Sequence, residues 1–532
     1  MSSLINQRVS LINKNNDLIK QIEQLKILCF SNNQPNTSSQ KIIIKKSLKL
    51  MSAITKPSNL LILKNLNPQD YLSCSIKLMF ICHQDIFLRL NNPCKIEYTK
   101  NYQLSKIYYY HLLNVFIAGR NIQEVVDVII KLININNLWQ WEYLSGDVIH
   151  GLFKLNVDTY YILNYLLDII DLSSNYKNHD NISRDILNII NTLYNNKYTW
   201  TIKIKTLTSL ERLLDMYHNL IIDSTLNLIK NNNNVKNSLY ILLHNIIKNL
   251  PNNYLLLVIK KMCSWIIYNN EKENIKNMIF EIENIVEYTA KNYKLHLITD
   301  MINDKLFNCL MEMISSSNRK INLLGNRIFQ QIIDRNNNKK YFLTPKIFYE
   351  TTNYSIKINK ECKSECEFFK NNRILIHDTL LSSLMKHAVT KVNLESTYCS
   401  ICLLAVEIPS GFTAAALICL VMNIQELTLQ SINSKINRKV SYHIHATVMA
   451  VITLICRIYN AKILYNYVNK VMMERAQWAP HLNPPLKNNY VFAIHYVLWN
   501  KSELFFVDWE ARFGLWKCFR KNIYDHDNAT EK

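Results

Sequence analysis

The sequence predicts an all-α protein in which pairs of helices stack on one another, and three observations carry that prediction. Glycine is scarce: the 532 residues hold only Gly119, Gly146, Gly151, Gly325, Gly411 and Gly514. Tight hairpins and phosphate-cradling loops need glycine for positive φ, so β-rich and nucleotide-binding folds are poorly supplied. Helix breakers are also few, with only Pro251 and Pro345 between Pro93 and Pro409. From about residue 100 onward, apolar segments of helical length alternate with short Asn-, Ser- or Lys-rich breaks. Hydrophobic residues make up 48% of the chain and charged residues 19%, which supplies a large core and excludes global disorder.

Residues 1–30 read as one amphipathic helix. Leu4, Leu11, Leu18 and Leu25 recur every seven residues with Ile5, Ile12 and Ile19 beside them, a narrow seam suited to a partner helix or short coiled coil. Arg8 and Asn15 weaken the other core row before Ile22. Residues 31–58 read as a basic linker ending in Lys41, Lys45, Lys46 and Lys49 around Ile42–Ile44. Such a patch suits anionic lipid, but the favoured reading is a solvated, flexible arm.

Residues 59–337 read as a helical-repeat region. In 121–134, Ile122, Val125, Val126, Ile129, Ile130 and Ile133 form a wide apolar face, with Glu124, Asp127 and Lys131 opposite. The segments 140–154, 157–172, 182–195, 201–217, 234–249 and 252–268 repeat this pattern, and Pro251 suits the first turn of the last one. Asn231–Asn234 and Asn336–Asn338 fall where turns between helices belong. Residues 338–372 break the rhythm as a long loop, 373–510 form a C-terminal helical-repeat region, and 511–532 are a tail. Helix pairs of this kind bury their apolar faces only against their neighbours. With no strict sequence period, the expected architecture is a degenerate armadillo/HEAT-like helical-repeat rod, an α-solenoid. A compact all-α bundle is the structural alternative.

The net charge is +21, spread along the chain rather than blocked. It reads either as attraction to a polyanion, nucleic acid or an acidic membrane face, or as the lysine that accompanies an Asn-, Ile- and Tyr-rich coding bias. Thirteen cysteines without a secretory leader point to a reducing, cytosolic setting. The longest uncharged apolar runs, Gly411–Met422 and Ala446–Cys456, fall short of a bilayer span and suit buried helices.

Catalytic motifs are thin. Ser410–Gly411 lacks the preceding glycine of a nucleophile elbow, and neither a Walker loop nor an H-E-x-x-H helix occurs. Glu283 and Glu287 share a helical face without a nearby histidine, which suits a solvated acidic stripe better than acid–base chemistry. Cys362, Cys366, Cys399 and Cys402 have a superficial zinc spacing, but Cys399 and Cys402 lie in an apolar stretch where thiols act as small hydrophobes. His443 and His445 are two apart and point in different directions on a helix. The missing fixed period also argues against a one-base-per-repeat nucleic-acid code. The chain therefore reads as a non-enzyme without cofactor or metal.

The order of short patches carries a further signal. Val125–Ile133 is followed by Asn136-Asn137-Leu138-Trp139 and the helices Glu142–Leu155 and Tyr160–Leu172; later come Ile332-Ile333-Asp334-Arg335-Asn336-Asn337-Asn338, Lys360–Asn372 and Leu404–Glu407. Val471–Pro484 reads VMMERAQWAPHLNP. In this order the patches resemble the Rolling blackout family of scaffolds, also called Stambha or Eighty-five-requiring, over residues 105–490. The family-like positions are Trp139, Asp334, Arg335, Arg475, Ala479 and Pro480; Trp478 stands where the family carries an acid.

The resemblance implies a non-catalytic, peripheral scaffold on the cytoplasmic face of the plasma membrane, or in the cytosol if its anchor is absent. It implies recruitment of phosphatidylinositol 4-kinase type III alpha through its tetratricopeptide adaptor, in support of phosphoinositide supply. A lipase activity suggested for some members finds no nucleophile motif here. The family's anchoring N-terminal cysteine cluster has no counterpart, the first cysteine being Cys29, and the chain reads as shortened at its front. Acidic lipids facing Lys41, Lys45, Lys46 and Lys49 are the expected substitute, while nucleic acid is disfavoured as a partner. The alternative in another class is a general helical-repeat adaptor of transport or nucleic-acid-binding type.

Overall fold

The computed structural model describes residues 2–30, 37–90, 100–119, 122–154, 159–173, 180–195, 205–225, 233–269, 275–294, 297, 305–352, 354–431, 438–488, 490 and 498–507. Helices dominate these residues and none of them forms a strand. Contacts divide the chain into two units, 1–246 and 247–532, inside the stretch 59–337 that the sequence presents as continuous.

The first unit contains α1 (Ser2–Phe30), α2 (Thr37–Ile54), α3 (Leu60–Leu63), α4 (Pro68–Leu90), α5 (Lys100–Gly119), α6 (Ile122–Ile135), α7 (Glu142–Lys154), α8 (Thr159–Ser173), α9 (Asp180–Asn195), α10 (Lys205–Thr225) and most of α11 (Asn233–Lys248). The described part of the α1 seam packs within the chain: Leu18, Ile22, Leu25 and Cys29 are buried, and α1 packs on α2 and α4. The Leu4 and Leu11 side chains lie outside the described residues. The basic linker expected over 31–58 is corrected by helix α2. Ile44, Ser47, Leu48, Met51 and Ile54 recur every three or four residues and are buried, while the lysines that suggested a loose arm occupy the opposite face.

The turn between α6 and α7 shows how asparagine places a joint. Asn137 takes φ 49°, a left-handed conformation that asparagine tolerates. Leu138 and Trp139 are thereby turned into the core. Trp139 Nε1 donates to Asn134 Oδ1, and Ser145 Oγ donates to the Leu138 carbonyl at 2.7 Å. Helices α5 and α7 meet closely at Gly151, where an added Cβ would sit 2.8 Å from the Tyr110 ring.

The second unit contains α12 (Asn252–Tyr268), α13 (Ile275–Asn292), α14 (Leu306–Ser315), α15 (Arg319–Ile333), α16 (Lys363–Asn371), α17 (Arg373–His387), α18 (Lys391–Glu407), α19 (Gly411–Ser431), α20 (Arg438–Ile458) and α21 (Lys462–Trp478). Its contacts form a two-layer ladder. α12, α14, α17 and α19 neighbour one another in one layer, α13, α15, α18 and α20 in the other, and each pairs across. That pattern is the α-solenoid, built from two-helix repeats. Pro251 sits one residue earlier than expected, as the N-cap of α12.

The long loop expected over 338–372 is shorter, because α16 begins at Lys363. Glu365, Phe368 and Phe369 on α16 are buried, a helical spacing that the surrounding lysines and glutamates obscure. Helices α19 and α20 also correct the reading of the apolar runs, since Gly411–Gln430 and Lys439–Ile458 are each long and apolar enough to cross a bilayer. The α20 window is 89% buried within the protein, as befits a core helix packed between α18, α19 and α21.

Candidate functional site

The family-like positions turn out to be joints. Asp334 closes the turn after α15: its Oδ1 accepts from the Asn338 amide at 2.7 Å and its Oδ2 from the Lys339 amide at 2.9 Å. Arg335 donates Nη1 to Glu365 Oε1 at 2.8 Å, Nε to Glu407 Oε2 at 3.0 Å and Nη2 to the Glu407 carbonyl at 2.7 Å. One guanidinium thus ties α15, α16 and α18 together. Both carboxylates are buried, and burial pushes Glu407 up to about 7 despite the arginine. Asn336 and Asn338 pin the extended strap 354–361. Asn338 exchanges two hydrogen bonds with the Lys357 backbone, and Asn336 Nδ2 donates to Asn359 Oδ1 at 2.7 Å.

Arg475 is fully buried on α21 with no acidic partner among the described residues. Its Nε donates to the Leu504 carbonyl at 2.6 Å, its Nη1 to the carbonyls of His445 and Leu482, and its guanidinium lies 5.3 Å from the Phe506 ring centroid. It therefore clasps the segment 498–507 onto α20 and α21, and burial lowers its pKa to about 9. Ala479 is buried, whereas Pro480 is exposed and opens the 3₁₀ turn Pro480–Leu482. Trp478 is half exposed with Lys501 Nζ 4.7 Å from its ring centroid, a cation–π contact.

The other candidates also find structural employment. Glu283 and Glu287 on α13 both receive Arg327 Nη1 from α15, at 2.7 and 3.4 Å, which replaces the expected solvated stripe with an interhelical ion pair. The Ser410 hydroxyl caps α19 by accepting from the Thr413 amide at 3.0 Å. Cys399 and Cys402 are buried in α18, Cys362 and Cys366 are partly exposed, and the described residues hold no group of three metal-ligating side chains. His443 bonds the Ala388 and Lys487 carbonyls, while His445 lies against Trp499 and Phe505.

Sequence reasoning missed a polar stripe inside the second unit. Asn322, Asn326 and Gln330 recur every four residues on α15 and meet Asn393, Thr397 and Ser400 on α18 and Ser383 on α17. Ser400 donates to Asn326 Oδ1 and Asn393 to Asn322 Oδ1, each at 2.7 Å. A fully satisfied buried network of this kind sets which residues face each other across two helices. Its signal was three amides spaced four apart on an otherwise apolar helix face.

The exposed candidate is the outer face of α2. Lys41, Lys45, Lys46 and Lys49 are all exposed there with Ile42, which is 56% accessible, and none of the four has an ion pair among the described residues. The nearby Cys29 thiol is buried and pushed up to about 11 by desolvation, so it stays protonated and unreactive at neutral pH.

Comparison with known proteins decides what the joints belong to. A family model described as EFR3, armadillo repeat, matches residues 104–493. The chain belongs to the EFR3 family. This is the Rolling blackout family that the ordered patches resemble, and its helical-repeat fold is a non-enzymatic, protein-binding scaffold type. Neither a curated protein nor a solved structure matches the chain. Trp139, Asp334, Arg335, Arg475, Ala479 and Pro480 all fall inside the matched range.

Proposed function

We propose that this EFR3 chain is a peripheral scaffold on the cytoplasmic face of the plasma membrane. It recruits phosphatidylinositol 4-kinase type III alpha through the kinase's tetratricopeptide adaptor and so supports phosphoinositide supply. Family membership supports the scaffold role, and the α2 face is the observation that carries the membrane part. Four exposed lysines, without an ion pair among the described residues, share the outer face of α2 with Ile42, and the buried side of that helix holds the face in place. At ~1 kcal/mol per lysine near an anionic surface, the array supplies up to about 4 kcal/mol.

Affinity purification of the tagged chain from its own cells, with mass spectrometry of co-purifying proteins, tests the assignment. Recovery of the lipid kinase with its adaptor is the expected result. Ribonucleoproteins or transport cargo in their place would overturn it and favour the general adaptor reading.

A further inference from the structure

Between α1 and α2 runs a trough of about 520 Å³, open along one side. Gln24, Ile27 and Leu28 line it from α1, and Lys46, Lys49, Leu50 and Ala53 from α2. These are helical spacings, three and four apart on both walls, and they give the groove that two adjacent helices present to a third. Its length on α2, from Lys46 to Ala53, corresponds to about two helical turns. Ile27 on its wall is 69% exposed, although the next rows of the same two helices are buried. Lys46 and Lys49 border the apolar floor and have no ion pair among the described residues.

We infer that this trough docks an acidic amphipathic helix of a partner protein. The apolar stripe of such a helix covers Ile27, Leu28, Leu50 and Ala53, its acidic flank meets Lys46 and Lys49, and its polar back faces water on the open side. An acyl chain has no polar side to present there, so its outward side would remain hydrated. The inference goes beyond the membrane reading and adds a constraint to it. Lys46 and Lys49 belong to both surfaces, so the docked helix and an anionic membrane exclude each other.

The test uses the full chain and a synthetic amphipathic peptide with a leucine stripe flanked by glutamates, read by fluorescence anisotropy. A peptide with lysines in place of the glutamates serves as control. The acidic peptide binds and the basic one does not. Ile27→Asp weakens binding by about tenfold or more through the apolar floor. The pair Lys46→Glu with Lys49→Glu weakens the acidic peptide to a similar degree, roughly tenfold, and admits the basic one. Because Ile27 is exposed, its variant keeps the fold, which the unchanged circular dichroism melt verifies. Vesicles containing phosphatidylserine displace the acidic peptide from the native chain.

Equal binding of both peptides, or binding insensitive to Ile27→Asp, overturns the inference. So does self-association that Ile27→Asp abolishes, which would assign the trough to a second copy. Failure of peptide binding with intact vesicle binding sinks the docking helix alone; the reverse outcome sinks only the membrane reading.

Discussion

Residues 1–246 and 247–532 are both assembled from paired helices, yet they fix those helices by different means. In the first unit a helix such as α6 buries Val125, Val126, Ile129, Ile130, Leu132 and Ile133 and turns Glu124 and Lys131 outward. Its hydrogen bonds between helices include those made by the ends of tyrosines, as where Tyr102 Oη donates to Asp147 at 2.8 Å and Tyr109 Oη to the Val148 carbonyl at 3.0 Å, and scattered single pairs such as Ser209 with Asn164 and Asn245 with Asn191. In the second unit α18 is buried almost all round from Asn393 to Glu407, and an apolar cylinder has no preferred rotation. There the amide stripe, the Arg335 junction and the Arg475 clasp supply the orientation that amphipathicity does not. Where a helix is one-sided, hydrophobic burial sets its rotation; where it is central, buried polar pairs do.

The largest expected effect tests the clasp. Arg475→Ala removes the side-chain donor from the carbonyls of Leu504, Leu482 and the helical His445 and leaves a cavity, a loss of about 3–5 kcal/mol. Urea denaturation would show it as an early transition, and hydrogen exchange would show residues 498–507 released first. A native midpoint for this variant would remove the clasp from the account.

Next comes the stripe. Asn326→Ala costs about 2–3 kcal/mol, because Ser400 and Thr397 lose a buried partner. Adding Ser400→Ala recovers part of that loss if the two form one network, and the double-mutant cycle measures the coupling. Strict additivity would mean that the stripe does not act as a unit.

Glu407 gives a pH signature of about 1–3 kcal/mol. Its folded value near 7 lies above the ordinary 4.5, so its contribution is full below pH 4.5 and is lost as pH rises through 7. Buried His445 works oppositely, since desolvation holds it neutral and favours the unfolded chain below pH 6.5. The native chain must therefore be compared with Glu407→Gln at each pH. The difference in thermal midpoint between the two should fall from pH 4.5 to pH 8; a flat difference contradicts the buried carboxyl.

The smallest effects compare one glycine in each unit. An alanine Cβ at Gly325 would sit 2.7 Å from Met313 Cβ and 3.1 Å from the Ile314 backbone, whereas at Gly151 it meets the Tyr110 ring edge at 2.8 Å. The fully buried Tyr109 ring also lies 3.0 Å from that Cβ at Gly151, so only the half-exposed Tyr110 can yield there, whereas backbone cannot yield at Gly325. Gly325→Ala should therefore lose about 1–3 kcal/mol, and Gly151→Ala somewhat less, about 1–2 kcal/mol, by the same melt.

Much of the fold was legible because the helices from α6 to α12 announce themselves by apolar period and asparagine-rich breaks. Helix α2 was hidden because four lysines drew attention from the seam Ile44, Leu48 and Met51 that recurs beneath them. Helix α16 was hidden because its inward residues are a glutamate and two phenylalanines within a charged run. The joints were visible as residues in order, but their chemistry was not. That Arg335 reaches Glu365 and Glu407, 30 and 72 positions away, is a tertiary fact without a local trace. The trough beside α2 was equally out of reach, since it requires two helices that the sequence presents as one helix and a linker.

Flotation with phosphatidylcholine vesicles, with and without phosphatidylserine, tests the scaffold most directly. The lipid kinase and its tetratricopeptide adaptor are mixed with the native chain or with the variant carrying glutamate at 41, 45, 46 and 49. The kinase should float only with the native chain and only on phosphatidylserine vesicles. Kinase that floats equally without the chain, or with the four-lysine variant, would contradict the account.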